Sequence, residues 1–166
     1  YPGIKRNNPE AELICGKILE IWRKKKFPII HVRHSSTNVD SKLHESNLGF
    51  EFNDHVTPVG DEIILKKTVN SAFIGTDLKS ILDKSKTEVL IVVGMTTNHC
   101  ISTTVRMSGN LGFQTYLISD STACYNTKGI NGEMIDCEVI YQAALASIID
   151  EFATVINSEE LISLIE

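Results

Sequence analysis

Val89-Leu-Ile-Val-Val-Gly-Met-Thr-Thr-Asn-His-Cys100 reads as a strand that runs into a turn and delivers a cysteine to the start of a helix. The unbroken apolar run from Val89 to Val93 suits a strand covered on both faces, as in a parallel sheet. Asn98 is a favourable cap, and the segment to Leu111 reads as a helix closed by Gly112. Cys100 then falls where unpaired backbone N–H groups and the positive end of the helix dipole converge. Such a place lowers a thiol's pKa and stabilises the thiolate, which is the nucleophile. The competing reading is a small buried hydrophobe, the commonest role of a free cysteine.

Outward from this stretch, helices and strands alternate. Asn8-Pro9-Glu10 combines a cap, a first-turn proline and an acid, and predicts a helix to about Lys26. Phe27 to Arg33 follows as a strand, its proline at the start where no ladder bond is lost. The polar stretch from His34 to Gly60 has little period and reads as a long loop of the functional kind. Glu62 to Lys66 is a short strand, and Thr76 caps a helix to roughly Asp83. Past the opening strand and helix come a strand at Gln114–Ser119, a loop at 120–132 and a long helix from about Glu133 to Asp150. Phe152 to Ile156 is a last strand, and Ser158-Glu159-Glu160 starts a final helix. This βα order predicts a parallel sheet with helices on both faces, with ligands bound beyond the carboxyl ends of the strands.

At 166 residues the chain reads as a single domain over 1–166, long enough for a full core. Its 42% hydrophobic and 22% charged content is ordinary for a globular protein. The net charge of −5 argues against nucleic acid or an anionic membrane as partner. Arg23-Lys24-Lys25-Lys26 closes a helix, where cations favour the negative end of the dipole. No segment approaches ~18 unbroken apolar residues, and no signal peptide is expected. Cys15, Cys100, Cys124 and Cys137 lack paired spacing, which favours reduced thiols and a cytoplasmic location. No Cys or His spacing makes a zinc motif, and His31 and His34 point to opposite faces of a strand. Neither a G-x-G-x-x-G nor a phosphate-cradling loop follows any strand, so no cofactor and no metal are expected.

At the carboxyl ends the sequence gathers a thiol, two lysines, an arginine and a histidine: Cys100, Lys66, Lys67, Arg33 and His34. A cysteine that attacks a carbonyl needs a base or cation for its thiolate and donors for the developing oxyanion. Lys66 or Lys67 can supply the cation, and the backbone amides of the 96–100 turn can supply the donors. His99 is adjacent to the thiol, but neighbours on a helix point about 100° apart. A pocket-lining or capping role suits it better than a Cys–His pair.

Four segments resemble the isochorismatase-like cysteine hydrolase family, which includes nicotinamidases and related amidases. Gly94 to Arg106 resembles its nucleophile turn and helix, and Lys67-Thr-Val-Asn-Ser-Ala-Phe-Ile-Gly-Thr-Asp-Leu78 the segment with the catalytic lysine. Arg6-Asn-Asn-Pro-Glu10 with Trp22-Arg23 and His31-Val-Arg-His34 resembles the first helix and second strand. Ala143-Ala-Leu-Ala146 with Glu151-Phe-Ala153 resembles the terminal helix and strand.

The resemblance implies a three-layer α/β/α fold with a mostly parallel six-stranded sheet, and a Cys–Lys–Asp triad acting on a small amide-like C–N substrate. It puts the nucleophile on Cys100 and the lysine on Lys67, with Lys66 as the fallback. It implies a cis peptide at Met95–Thr96 and an oxyanion hole from the Thr96 and Cys100 amides. Candidate pocket residues are His34, Phe73 and His99. A homo-oligomer, dimer or tetramer, is expected, with a small-molecule substrate as partner.

Three departures stand out. The family's aspartate ends a first strand, and the sequence opens at Tyr1-Pro-Gly, past that place; Asp40, Asp54 and Asp61 lie elsewhere. Loss of a central strand would expose two unpaired edges, so an upstream strand is expected. If the aspartate is absent, a redox or non-enzymatic role replaces hydrolysis. Tyr141 stands where a histidine is common, a change of packing rather than chemistry. Arg33-His34-Ser35-Ser36 also lacks the Asp-x-His pattern of the nicotinamidase metal site.

Overall fold

The computed structural model describes residues 4–166. The reading of Tyr1-Pro-Gly as the chain just past a first strand lies outside the described residues. The chain forms α1 (Ala11–Lys25), β1 (Ile30–His34), β2 (Ile63–Lys67), α2 (Leu78–Lys84) and β3 (Val89–Val92). It continues with α3 (Ser102–Asn110), β4 (Gln114–Ile118), a hairpin of β5 (Thr127–Lys128) and β6 (Met134–Ile135), and α4 (Cys137–Ala146). β7 (Thr154–Ile156) and α5 (Ser158–Ile165) complete it.

Apolar alternation on the strands divides the helices between two faces. Ile118 packs with Ile18 of α1 and Leu161 of α5, while Leu117, the next residue, packs with Val105 of α3 and Ile148. Ala72, Phe73, Leu78 and Leu82 cover β1, β2 and β3 on the α3 side. Leu117, Ile118, Val105 and Ile148 are fully buried. Each such side chain contributes about 1.5–3 kcal/mol by leaving water.

The strands do not join into one six-stranded sheet among the described residues. β1 pairs in parallel with β2, and β3, β4 and β7 form a second parallel sheet in that order. β1 and β3 therefore each have one edge without a strand partner among the described residues. A cavity of about 1070 Å³ lies between them, lined by Val32, Leu90, Ile91, Phe73, Lys67 and Cys100 among others.

Long-range bonds moved several boundaries. Asn8 does not cap α1, because its side-chain amide donates instead to the carbonyls of Ser119 and Thr122. The long helix expected from Glu133 is shorter. Met134–Ile135 pairs antiparallel with Thr127–Lys128, and Asp136 caps α4 by accepting from the Glu138 amide. The 34–60 loop holds two short 3₁₀ turns, Leu48–Phe50 and Asp54–Val56, and buries Phe50. Gly112, at φ +88, ends α3 as expected.

Candidate active site

β3 delivers the chain to Gly94, whose φ of +121 suits glycine alone. The Met95–Thr96 peptide is cis. Thr97–Ile101 then forms a π-helical turn, so regular α-helix begins only at Ser102, and Asn98 is not its cap. Single π turns inside helices recur at functional sites. Cys100 rides on this turn, half-buried, while Cys15, Cys124 and Cys137 are buried and all four are free thiols.

The 121–124 segment, just after β4, clamps the turn. The Gly94 amide donates to the Ser121 carbonyl at 3.2 Å and the Thr97 amide to the Ala123 carbonyl at 3.0 Å. The hydroxyls of Thr97 and Thr122, both fully buried, bond each other at 2.9 Å. The Cys124 thiol donates to the Asn98 side-chain oxygen at 3.3 Å. Asn98 thus serves the clamp rather than the helix end.

The paired lysines separate by strand parity. Lys66 turns outward and meets Glu45 at 2.8 Å, with both side chains 53% exposed. Lys67 turns inward and is 5% exposed. Its Nζ lies 3.1 Å from Cys100 Sγ, 3.0 Å from the Val69 carbonyl and 3.3 Å from His34 Nδ1. His34 is Lys67's direct register partner across β1 and β2. A buried ammonium is costly without an anionic or polar partner. Here it has the thiol sulfur, a carbonyl and a ring nitrogen. Burial and the Lys67 charge hold the His34 pKa below the usual imidazole value of 6.5, so the ring is neutral at pH 7.

Other expected residues fall differently. Phe73 is buried and stacked on Phe113, with centroids 6.0 Å apart, so it forms the cavity floor as part of the core. His99 is exposed, and its ring meets the Asn98 side-chain amide at 3.3 Å. Arg33, on the opposite face of β1 from His34, stacks on Phe50 at 4.0 Å rather than lining a pocket with it. Tyr141 is buried and donates to the Ser119 carbonyl at 2.8 Å, a packing role. The Thr96 amide donates to no other group among the described residues.

Sequence pattern did not mark Asn70 or Thr104. Asn70 Oδ1 lies 4.0 Å from Cys100 Sγ. Thr104, one helical turn past Cys100, accepts from the Ala72 amide at 3.0 Å and so ties the lysine segment to the nucleophile helix. The i, i+4 spacing from Cys100 was the one available signal for Thr104. Among the described residues no carboxylate contacts Lys67 or Cys100 by hydrogen bond or ion pair. No group of three His, Cys, Asp or Glu side chains there could hold a metal ion. No helix among the described residues is long and apolar enough to cross a membrane.

A strand-turn-cysteine with a buried lysine on the thiol defines a class, and sequence comparison agrees with it. Residues 8–160 match the isochorismatase domain, and the chain belongs to the isochorismatase family of hydrolases. It is 45% identical over 159 residues to the isochorismatase family protein YrdC of Bacillus subtilis, covering 96% of this chain and 85% of that protein. It is 27% identical over 158 residues to nicotinamidase 3 of Arabidopsis thaliana, covering 86% of this chain and 73% of that one. The crystal structure of an isochorismatase-family protein from Chromobacterium violaceum superposes with a TM-score of 0.94. It is 32% identical, covering 98% of this chain and 85% of that one.

Proposed function

We propose that the protein hydrolyses an amide-like C–N bond of a small molecule through a thioester on Cys100. The observation that carries this reading is the buried Lys67 ammonium, 3.1 Å from the Cys100 sulfur. A cation in that position favours the thiolate over the thiol. The thiolate attacks the substrate carbonyl carbon, forming a C–S bond while the carbonyl π electrons move to oxygen. The Thr96 amide, without a partner among the described residues, and the Cys100 amide are the donors assigned to that oxyanion. When the carbonyl re-forms, the C–N bond breaks and the amine leaves with a proton. Water then attacks the thioester, releasing the acid and regenerating the thiolate.

The proton shuttled in both steps needs a carboxylate, completing a Cys–Lys–Asp triad. We place it on a strand seated between β1 and β3. Three features support this: two facing strand edges without partners, an apolar lining, and an opening onto Lys67 and Cys100. The name of the plant relative, a nicotinamidase, supports an amide as substrate. A panel of small amides, with intact-mass detection of an acyl adduct on Cys100, tests the reading. Cys100→Ala should lose turnover and adduct while keeping its melting temperature; turnover retained in that variant would sink the assignment. The lack of a carboxylate contact among the described residues favours one rival, a redox thiol. It predicts Cys100 oxidation by peroxide with no amide cleaved.

A further inference from the structure

Lys67 can act on Cys100 only if its ammonium stays where it is, and among the described residues few groups hold it there. Its four-carbon stem is flexible, and among the described residues no carboxylate pins its head. Among the described residues its partners besides the thiol are the Val69 carbonyl, two residues past the end of its own strand, and Nδ1 of His34 on the neighbouring strand. His34 is thus the side chain, apart from the thiol, that reaches Lys67 from another element.

We propose that neutral His34 is a positioning residue, accepting a hydrogen bond from Lys67 and holding its ammonium against Cys100, so that protonation of His34 weakens the nucleophile. An ammonium only donates, so Nδ1 must accept, which puts the ring proton on Nε2. Among the described residues the charged groups that face His34 are Lys67 from β2 and, through it, the Cys100 thiol, with the Val69 carbonyl as the opposing polar group; the carboxylate assigned above to the triad would face the same ammonium. An imidazolium at this site has no lone pair for Lys67 and sets two cations 3.3 Å apart in a half-buried place. The lysine is then driven off the sulfur. Burial and Lys67 both depress the His34 pKa, so the ring is neutral at pH 7 and the loss begins only as pH falls below 6.5.

This inference rests on reading Cys100 as the nucleophile and Lys67 as its partner, and the test separates the two. The second-order rate of iodoacetamide alkylation at Cys100 is measured from about pH 5 to 9. No substrate is needed, and the other cysteines are buried. Wild type should show an extra loss of reactivity in the acid range. His34→Asn, whose amide oxygen can accept from Lys67, should keep the neutral rate within about threefold and lose the acid step. His34→Leu, with no acceptor, should be about tenfold slower or more at neutral pH and above, and should lose the acid step as well. If a melting temperature shows that a variant does not fold, His34→Gln replaces His34→Asn and His34→Ala replaces His34→Leu. A His34→Leu profile that overlays wild type overturns this inference alone, as does an acid step that survives in His34→Asn. A wild-type rate equal to that of Lys67→Ala overturns the functional reading and this inference with it.

Discussion

The two halves of the site are held in different ways. The nucleophile half, β3 with β4 and β7, is locked by neutral hydrogen bonds and dense apolar packing. Thr97 and Thr122 are fully buried, as are Val105, Leu117 and Ile148 beneath them. The lysine half, β1 with β2, leaves Ile63 and Ile64 of its outer strand 39% and 48% exposed. It depends on charge instead. Glu62 accepts from Arg23 Nε at 2.7 Å and meets His31 at 2.8 Å, and the Val59 amide donates to it at 3.0 Å. The same strand pair carries the Lys67–His34 contact at its other end. The lesson is a division of labour: the turn that carries Cys100 is held by neutral groups, whereas the strands that carry Lys67 are held by an ion-pair network.

Removing the partner should have the largest effect. Lys67→Ala should reduce amide turnover by roughly 10³-fold, or about 4 kcal/mol in the barrier. Steady-state kinetics checks this, and a loss below tenfold would break the assigned roles. Next comes the packing of the nucleophile half. Leu117→Ala should cost about 3 kcal/mol, read as a shift in urea midpoint, because the rigid sheet cannot collapse into the space left.

Glu62→Gln should cost about 2 kcal/mol, since it leaves a largely buried Arg23–Glu62–His31 network short of its anion. The wild-type network sharpens the contrast in pH. The hydrogen bond from Arg23 dominates burial and draws the Glu62 pKa down to about 2, from an ordinary 4.5. A depressed carboxylate stabilises the fold fully above 4.5 and loses that contribution as pH falls toward 2. Urea melts across this window should therefore show a loss in wild type that is reduced in Glu62→Gln. Smallest is Lys66→Ala. Its pair with Glu45 is half-exposed, so stability should change by less than about 0.5 kcal/mol and turnover not at all. Equal effects at Lys66 and Lys67 would erase the parity argument.

Much of this site was legible because its parts are local. The apolar run at 89–93, Gly94, Cys100 and Gly112 follow one another on one continuous segment, and their placement depends on local pattern and backbone preference. The Met95–Thr96 cis bond was expected from family resemblance and is present. The β5–β6 hairpin and the shortened α4 escaped, because Thr127–Lys128 and Met134–Ile135 gain their pairing only from each other. Asn98 looked like a cap because its type suits one. Its real partner, Cys124, lies on a segment 26 residues away.

By itself the sequence determined the alternation of strands and helices, the turn that presents Cys100 and a pair of lysines on one strand. Short-range periodicity and backbone preference are enough for that. Tertiary structure alone decided that Lys67 turns inward to the thiol while Lys66 turns to Glu45, and that His34 stands beside Lys67. Adjacent strand residues face opposite ways. Which way is inward depends on the parallel register of β1 on β2 and on the helices that cover them, and those are contacts between distant parts of the chain.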